Sequence, residues 1–242
     1  MEIRISFLLF LTSFSYDLEA YGQEYPSQSI EMVKVDSGIL MLGAQKPEHD
    51  EFPLTKVHIA SFSIGKYEVT QAQWGEIMGN SPSYHSNCDS CPVENVSWNE
   101  IQIFIGQLNF LTGKKYRLPT EFEWEFAARG GAKSRGYQFS GANDMEEVGW
   151  TWKNTSTIPM PVGKKMPNEL GIYDMSGNVA EFTSSNLNDS YEDYLINGTY
   201  HKIFRGGSYA NASDYFLSKL SYRNHKQPRL RDWSVGFRLA SD

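Results

Sequence analysis

Two cysteines, Cys88 and Cys91, stand three positions apart in the stretch NCDSCPVE, and the chain has no others. That spacing suits a local disulfide, a redox-active pair or half of a zinc site. A redox pair of the thioredoxin type starts a helix after a strand, whereas these neighbours are Asn, Asp, Ser and Pro, the residues of a loop. Zinc needs four ligands; His85 offers one more, and no obvious fourth follows. A structural disulfide is therefore the expectation. Among the histidines, His201 and His225 lie in the C-terminal half, and His49 and His58 lie near the first strands. Two histidines and a carboxylate can hold a redox metal, but no His-x-x-x-His or His-x-Asp spacing supports such a site here. Ser176 in DMSGN lacks the strand and glycine flanks of a nucleophile elbow. The last chemical feature is basic: six Lys or Arg residues fall between Lys219 and Arg238, interleaved with aromatics.

The elements that must position these groups change character along the chain. From Ile30 to Val69, Val33, Val35, Ile39, Met41, Val57, Ile59, Phe62 and Ile64 are spaced as in short strands with one buried face, separated by the charged loop KPEHDEFP. Three helix starts follow, each a hydroxyl residue with Glu or Gln three positions on: Thr70/Gln73, Ser97/Glu100 and Thr120/Glu123. The third helix is expected to stop at Gly130-Gly131, where glycine takes the left-handed conformation without penalty. Beyond Gly130 the helical signal nearly vanishes. Trp150, Trp152, Tyr173, Phe182, Phe204, Tyr209, Trp233 and Phe237 make disorder a poor account of that stretch, so buried aromatics and ordered turns are expected.

The first 22 residues carry one Arg, an apolar run from Ile5 to about Phe14, and Ala20-Tyr21-Gly22, the pattern of a signal peptide cut after Gly22. Residues 23–242 then form one domain, and loss of Glu2, Arg4, Asp17 and Glu19 with the leader moves the charge from −7 to −5. A mildly acidic chain argues against a nucleic-acid partner. No later stretch reads as a transmembrane helix, so an extracytoplasmic protein, periplasmic or secreted, is expected.

Six ordered stretches add a further level: IGKYEVTQAQW, CPVENVSWNE, YRLPTEFEWEFAARGG, NELGIYDMSGNVAEF, FRGGSY and GFRLA. Over residues 30 to 240 the chain resembles the formylglycine-generating enzyme, or sulfatase-modifying factor, domain family. The resemblance implies an α+β fold: an irregular, loop-rich C-type-lectin-like domain low in regular secondary structure. Named members oxidise a sulfatase cysteine with oxygen and a copper ion held by two active-site cysteines; other branches make sulfoxides, mature siderophores, serve motility machinery or bind ligands as lectin-type variable proteins. Membership alone does not choose among these. The oxidase cysteines stand five positions apart between the last two motifs, and a gapless count back from Gly236-Phe237-Arg238 puts Tyr215 and Leu220 there. Neither is a soft ligand for Cu(I), and residues 204–242 hold no cysteine, so copper is not expected.

The resemblance also implies a structural calcium ion, with side-chain oxygens from Asp174 and Glu181 and carbonyls from Gly177 and Val179. Ca2+ takes six to eight hard oxygen ligands, and a glycine-bearing turn lets carbonyls converge. Relatives usually have Trp where this chain has Ala180 and Phe182. Arg205, Arg223 and Arg238 match framework arginines. The segment between the last two motifs forms a peptide groove or variable ligand face in relatives; here Tyr209, Asn211, Tyr215, Lys219 and Tyr222 offer aromatic faces with hydrogen-bonding tips. The function expected is a binding or accessory module for a protein, peptide or glycan, without cysteine-to-formylglycine oxidation. The alternative is a formylglycine-generating or other metal-dependent oxidase acting on a sulfatase or another protein.

Overall fold

The computed structural model describes residues 29–47, 51–187, 200–211 and 215–242, so the expected leader lies outside the described residues. Strands β1 (Met32–Val35), β2 (Gly38–Leu42), β3 (Thr55–Ile59) and β4 (Phe62–Gly65) open the fold. In β2 the buried residues are Leu40 and Leu42, while Ile39 and Met41 are about half exposed, the reverse of the expected facing. The run GILML is apolar throughout, so alternation cannot say which set turns inward. Of the other six, Val35, Ile59, Phe62 and Ile64 are buried as expected, and Val33 and Val57 are partly buried.

Helices α1 (Gln71–Met78), α2 (Trp98–Thr112) and α3 (Glu121–Ala128) begin at Thr70, Ser97 and Thr120, and each carries both hydrogen bonds of its capping box. The first two stop at left-handed Gly79 and Gly113, and Gly130 follows the Arg129 cap of the third at φ 87°. A short helix α4 (Met145–Val148), capped by Asp144, has no counterpart in the sequence reading.

The second half adds β5 (Ala180–Asn186), β6 (Lys202–Arg205), β7 (Arg223–Lys226), β8 (Val235–Gly236) and β9 (Ala240–Ser241). β7, β6, β5 and β8 form one sheet in that order, with β5 and β8 parallel; β9 returns to pair antiparallel with β4, on the side opposite β1. The final GFRLA motif thus ties the end of the chain to its first strands. One core cluster packs α1 and α2 against β5 and β8, where the Trp74 and Phe104 rings stack at 5.3 Å and Phe237 meets both edge-on. A second surrounds Trp124 and Phe126 of α3 and the inner faces of β2 and β4. The aromatics expected to be buried divide: Phe182, Tyr209 and Phe237 are inside, whereas Trp152 and Trp233 are 40% and 46% exposed.

Candidate functional site

The loops of the second half are fastened from α3. Glu121 and Glu125, one turn apart on that helix, are both buried. Arg205, at the end of β6, reaches Glu121 at 2.6 Å, ion-pairs with Glu125 and donates to the Leu220 carbonyl at 2.6 Å. Arg223, at the start of β7, donates to both Glu121 oxygens at 2.8 and 2.6 Å, and Arg129 joins Glu125 at 2.8 Å. Arg238 grips Glu181 with two 2.6 Å bonds and also donates to the carbonyls of Gly65 and Tyr173. Four guanidiniums, each a planar fork of donors, thereby hold irregular chain in place. The disulfide between Cys88 and Cys91 closes a separate loop beside α1.

Above this frame lies a cavity of about 140 Å³, between the Gly206-Gly207 turn and β8. Gly207 has φ +66°, and a Cβ there would come within 2.4 Å of the Ser218 hydroxyl and 2.8 Å of the Leu217 carbonyl. Phe204 lines it on the apolar side; the polar lining is Arg205, Ser208, Asn211, Tyr222, Asn224, Asp232 and Ser234. Asn211 is fixed by accepting the Ser208 N–H at 2.5 Å. Burial works against the charge of Asp232, but the Lys226 ammonium and the N–H and hydroxyl of Ser234 hold its carboxyl below the usual range. The cavity therefore offers amides, hydroxyls, an aromatic edge and a paired carboxylate. That chemistry suits recognition by hydrogen bonding and gives no thiol to an oxidation.

Of the five ligand-face residues expected, Asn211 and Tyr222 line this cavity. Tyr209 is a correction: it is wholly buried and its hydroxyl donates to the Trp233 carbonyl at 2.6 Å, so it braces the 233–235 turn. Tyr215 lies elsewhere, with its hydroxyl 2.8 Å from Glu146 and the Lys153 ammonium 4.1 Å from its ring. Lys219 rests over the Phe216 ring. Leu220, the other position reached by the gapless count, is 2% exposed in the α3 core. Ser208, Asn224, Asp232 and Ser234 were missed. The Gly-Gly-Ser turn and the Asp-Trp-Ser turn were the signals available.

Beneath the cavity sits the DMSGNVAE loop. Asp174 is buried, accepts the Gly163 N–H at 2.7 Å through Oδ2, and leaves Oδ1 with no hydrogen-bond partner. Glu68 is buried beside it, accepting from Val179 N–H and Asn178 Nδ2. Burial pushes the Asp174 carboxyl up to about 6, and burial together with Asp174 and Glu181 raises Glu68 well above the carboxylate range. Three buried carboxylates facing one guanidinium, with an orphan oxygen among them, suit an added cation. Glu181 fits less simply. Arg238 and the Trp124 indole N–H take three of its roughly four lone-pair sites, leaving one on Oε1. Among the described residues, no three His, Cys, Asp or Glu side chains converge as a ready metal cluster, so the carbonyls of the Gly177 turn would have to complete the shell. That turn is tight: Gly177 has φ +89°, and a Cβ would meet the Trp150 carbonyl at 2.4 Å.

The family model of the sulfatase-modifying factor enzyme 1-like domain matches residues 19–242, from within the stretch read as a leader to the last residue. The chain belongs to that family. Chaperone protein LppX of Paenibacillus barcinonensis is similar at 34% identity over 190 residues, covering 58% of this chain and 68% of that one. The inactive C-alpha-formylglycine-generating enzyme 2 of Bos taurus is 30% identical over 186 residues, covering 72% of this chain and 57% of its own length. The match thus spans little more than half of that sulfatase-modifying factor relative. Among solved structures, Treponema denticola variable protein 1 superposes with a TM-score of 0.77 at 28% identity, covering 90% of this chain and 96% of that one. The irregular C-type-lectin-like fold expected from the motifs is the fold found. Among the described residues no helix is long and apolar enough to cross a membrane.

Proposed function

We propose that this sulfatase-modifying factor family protein is an exported binding or accessory module that holds a protein, peptide or glycan, without oxidising cysteine to formylglycine. The observation that carries this reading is the cavity beside the Gly206-Gly207 turn. Its polar lining is built for hydrogen bonds, in a segment, residues 204–242, with no cysteine to hold Cu(I). The names of two relatives, a chaperone and an inactive formylglycine-generating enzyme, support the same side of the family.

The test is to incubate the purified protein with a Cys-x-Pro-x-Arg sulfatase-type peptide, oxygen, reductant and copper beside an active family control. Mass spectrometry should show the peptide cysteine intact while the control converts it. Conversion to an aldehyde would replace this reading with the oxidase one.

In the same proposal calcium is structural, held by Asp174 and the carbonyls of Gly177 and Val179, with Glu181 as a shared ligand. A ligand that binds only the folded state at 100 times its Kd adds about 2.7 kcal/mol. EGTA should therefore lower the thermal midpoint, and excess Ca2+ should restore it where Mg2+ does not. An unchanged midpoint, with no calcium by elemental analysis, would sink the calcium site.

A further inference from the structure

We propose that His201 and His225 form a two-imidazole site for a late first-row divalent metal, of the zinc or copper class, separate from the oxygen-lined loop at Asp174. The sequence gives these histidines no ligand spacing, but the sheet supplies it. β6 and β7 run antiparallel with Ile203 opposite His225, and His201 lies two residues before Ile203. By the strand alternation all three share one face, and His201 stands diagonally across from His225. Phe204 and Asn224, which line the cavity, point to the other face. The His201 backbone is pinned where its carbonyl accepts the Leu187 N–H at 3.0 Å.

The two Nδ1 atoms are 2.8 Å apart and the ring centroids 4.9 Å apart. Two imidazole nitrogens in that relation share one proton; moving it to the far nitrogen of its ring leaves both Nδ1 lone pairs free to turn toward one ion. Zinc–imidazole bonds of about 2.0–2.1 Å at a tetrahedral angle separate the nitrogens by roughly 3.3 Å, an opening of about half an ångström. His201 Nε2 has no hydrogen-bond partner, so turning that ring breaks no bond at its far side. Both rings are half-buried, which leaves solvent access for an ion and for the waters that complete its shell. Among the described residues no third His, Cys, Asp or Glu joins them, and imidazole donors favour Zn2+, Cu2+ or Ni2+ over Ca2+.

The full chain, saturated with Ca2+ to occupy any oxygen site, is titrated with Zn2+ by calorimetry. One saturable site is expected. His201→Gln and His225→Gln should each weaken it by roughly tenfold or more, since losing a ligand costs at least what losing a supporting contact does. His58→Gln, on β3, should leave it unchanged. Long-range proton–nitrogen spectra of the wild-type imidazoles give a reading that needs no variant: Zn2+ should shift the Nδ1 signals of both rings together. Absence of saturable binding, equal binding by His201→Gln, or zinc shifts confined to other histidines would overturn the site and leave a proton-sharing pair.

Discussion

Replacing Arg238 with Met should be the most damaging single change in the protein, costing about 3–5 kcal/mol, the range for removing one partner of a buried ion pair. The side chain is fully buried, and Met recovers most of its aliphatic packing, so the loss isolates the charge and its hydrogen bonds. Burial opposes the guanidinium charge, yet Glu181, Glu68 and Asp174 hold it above its ordinary value, so all three carboxylates depend on it. Its removal also frees the Gly65 and Tyr173 carbonyls and so loosens the join between β4 and the C-terminal strand. In a domain of this size the loss is on the order of a 10 °C drop in Tm. Urea unfolding of wild type and Arg238→Met measures it directly. A calcium ion in the Asp174 loop would supply part of the missing positive charge, so added Ca2+ should recover more stability in the variant than in the wild type. A loss under about 1 kcal/mol would mean that water reaches these carboxylates, since only solvated pairs are worth so little.

What the sequence disclosed follows from how far each interaction reaches along the chain. The capping boxes at Thr70, Ser97 and Thr120 were legible because each is complete within four residues. The motif order disclosed the family and with it the fold, which no periodicity after Gly130 could have done. Facing in β2 was not legible, because GILML has no polar position to mark the outside and the choice is made by Phe126 packing on Gly38. The arginines were recognised as framework, but their partners were not. Arg205 and Glu121 are 84 residues apart, and nothing local links them. Tyr209 and Tyr222 look alike as amphipathic rings; the turn at Gly206-Gly207 buries the first and leaves the second on the cavity wall. His201 and His225 meet only through the register of β6 against β7, which no spacing rule for a single segment can express.

Glu121→Ala should fall close behind Arg238→Met, at about 3–5 kcal/mol, because one carboxylate serves two arginines. Arg205 would keep Glu125 and the Leu220 carbonyl, while Arg223 would lose both of its bonds to Glu121. Glu121→Gln tests charge apart from shape: it retains one acceptor at the same volume, so it should cost less than Ala and more than an exposed substitution. If Glu121, Arg205 and Arg223 act as one network, the double variant Glu121→Gln/Arg223→Met should be more stable than the summed single losses imply, by about 0.5–3 kcal/mol. Additive losses would make each pair an independent fastening. The network also has a functional consequence, because Arg205 and Asn224 of β7 both line the cavity. The same variants should therefore weaken ligand capture even at temperatures where they remain folded. A substitution at exposed Lys114, distant in sequence from both strands, should change neither stability nor capture. Stability lost with capture intact would show that the cavity keeps its shape without the α3 carboxylates, and would move the source of its rigidity to the Ser208–Asn211 and Asp232–Ser234 turns.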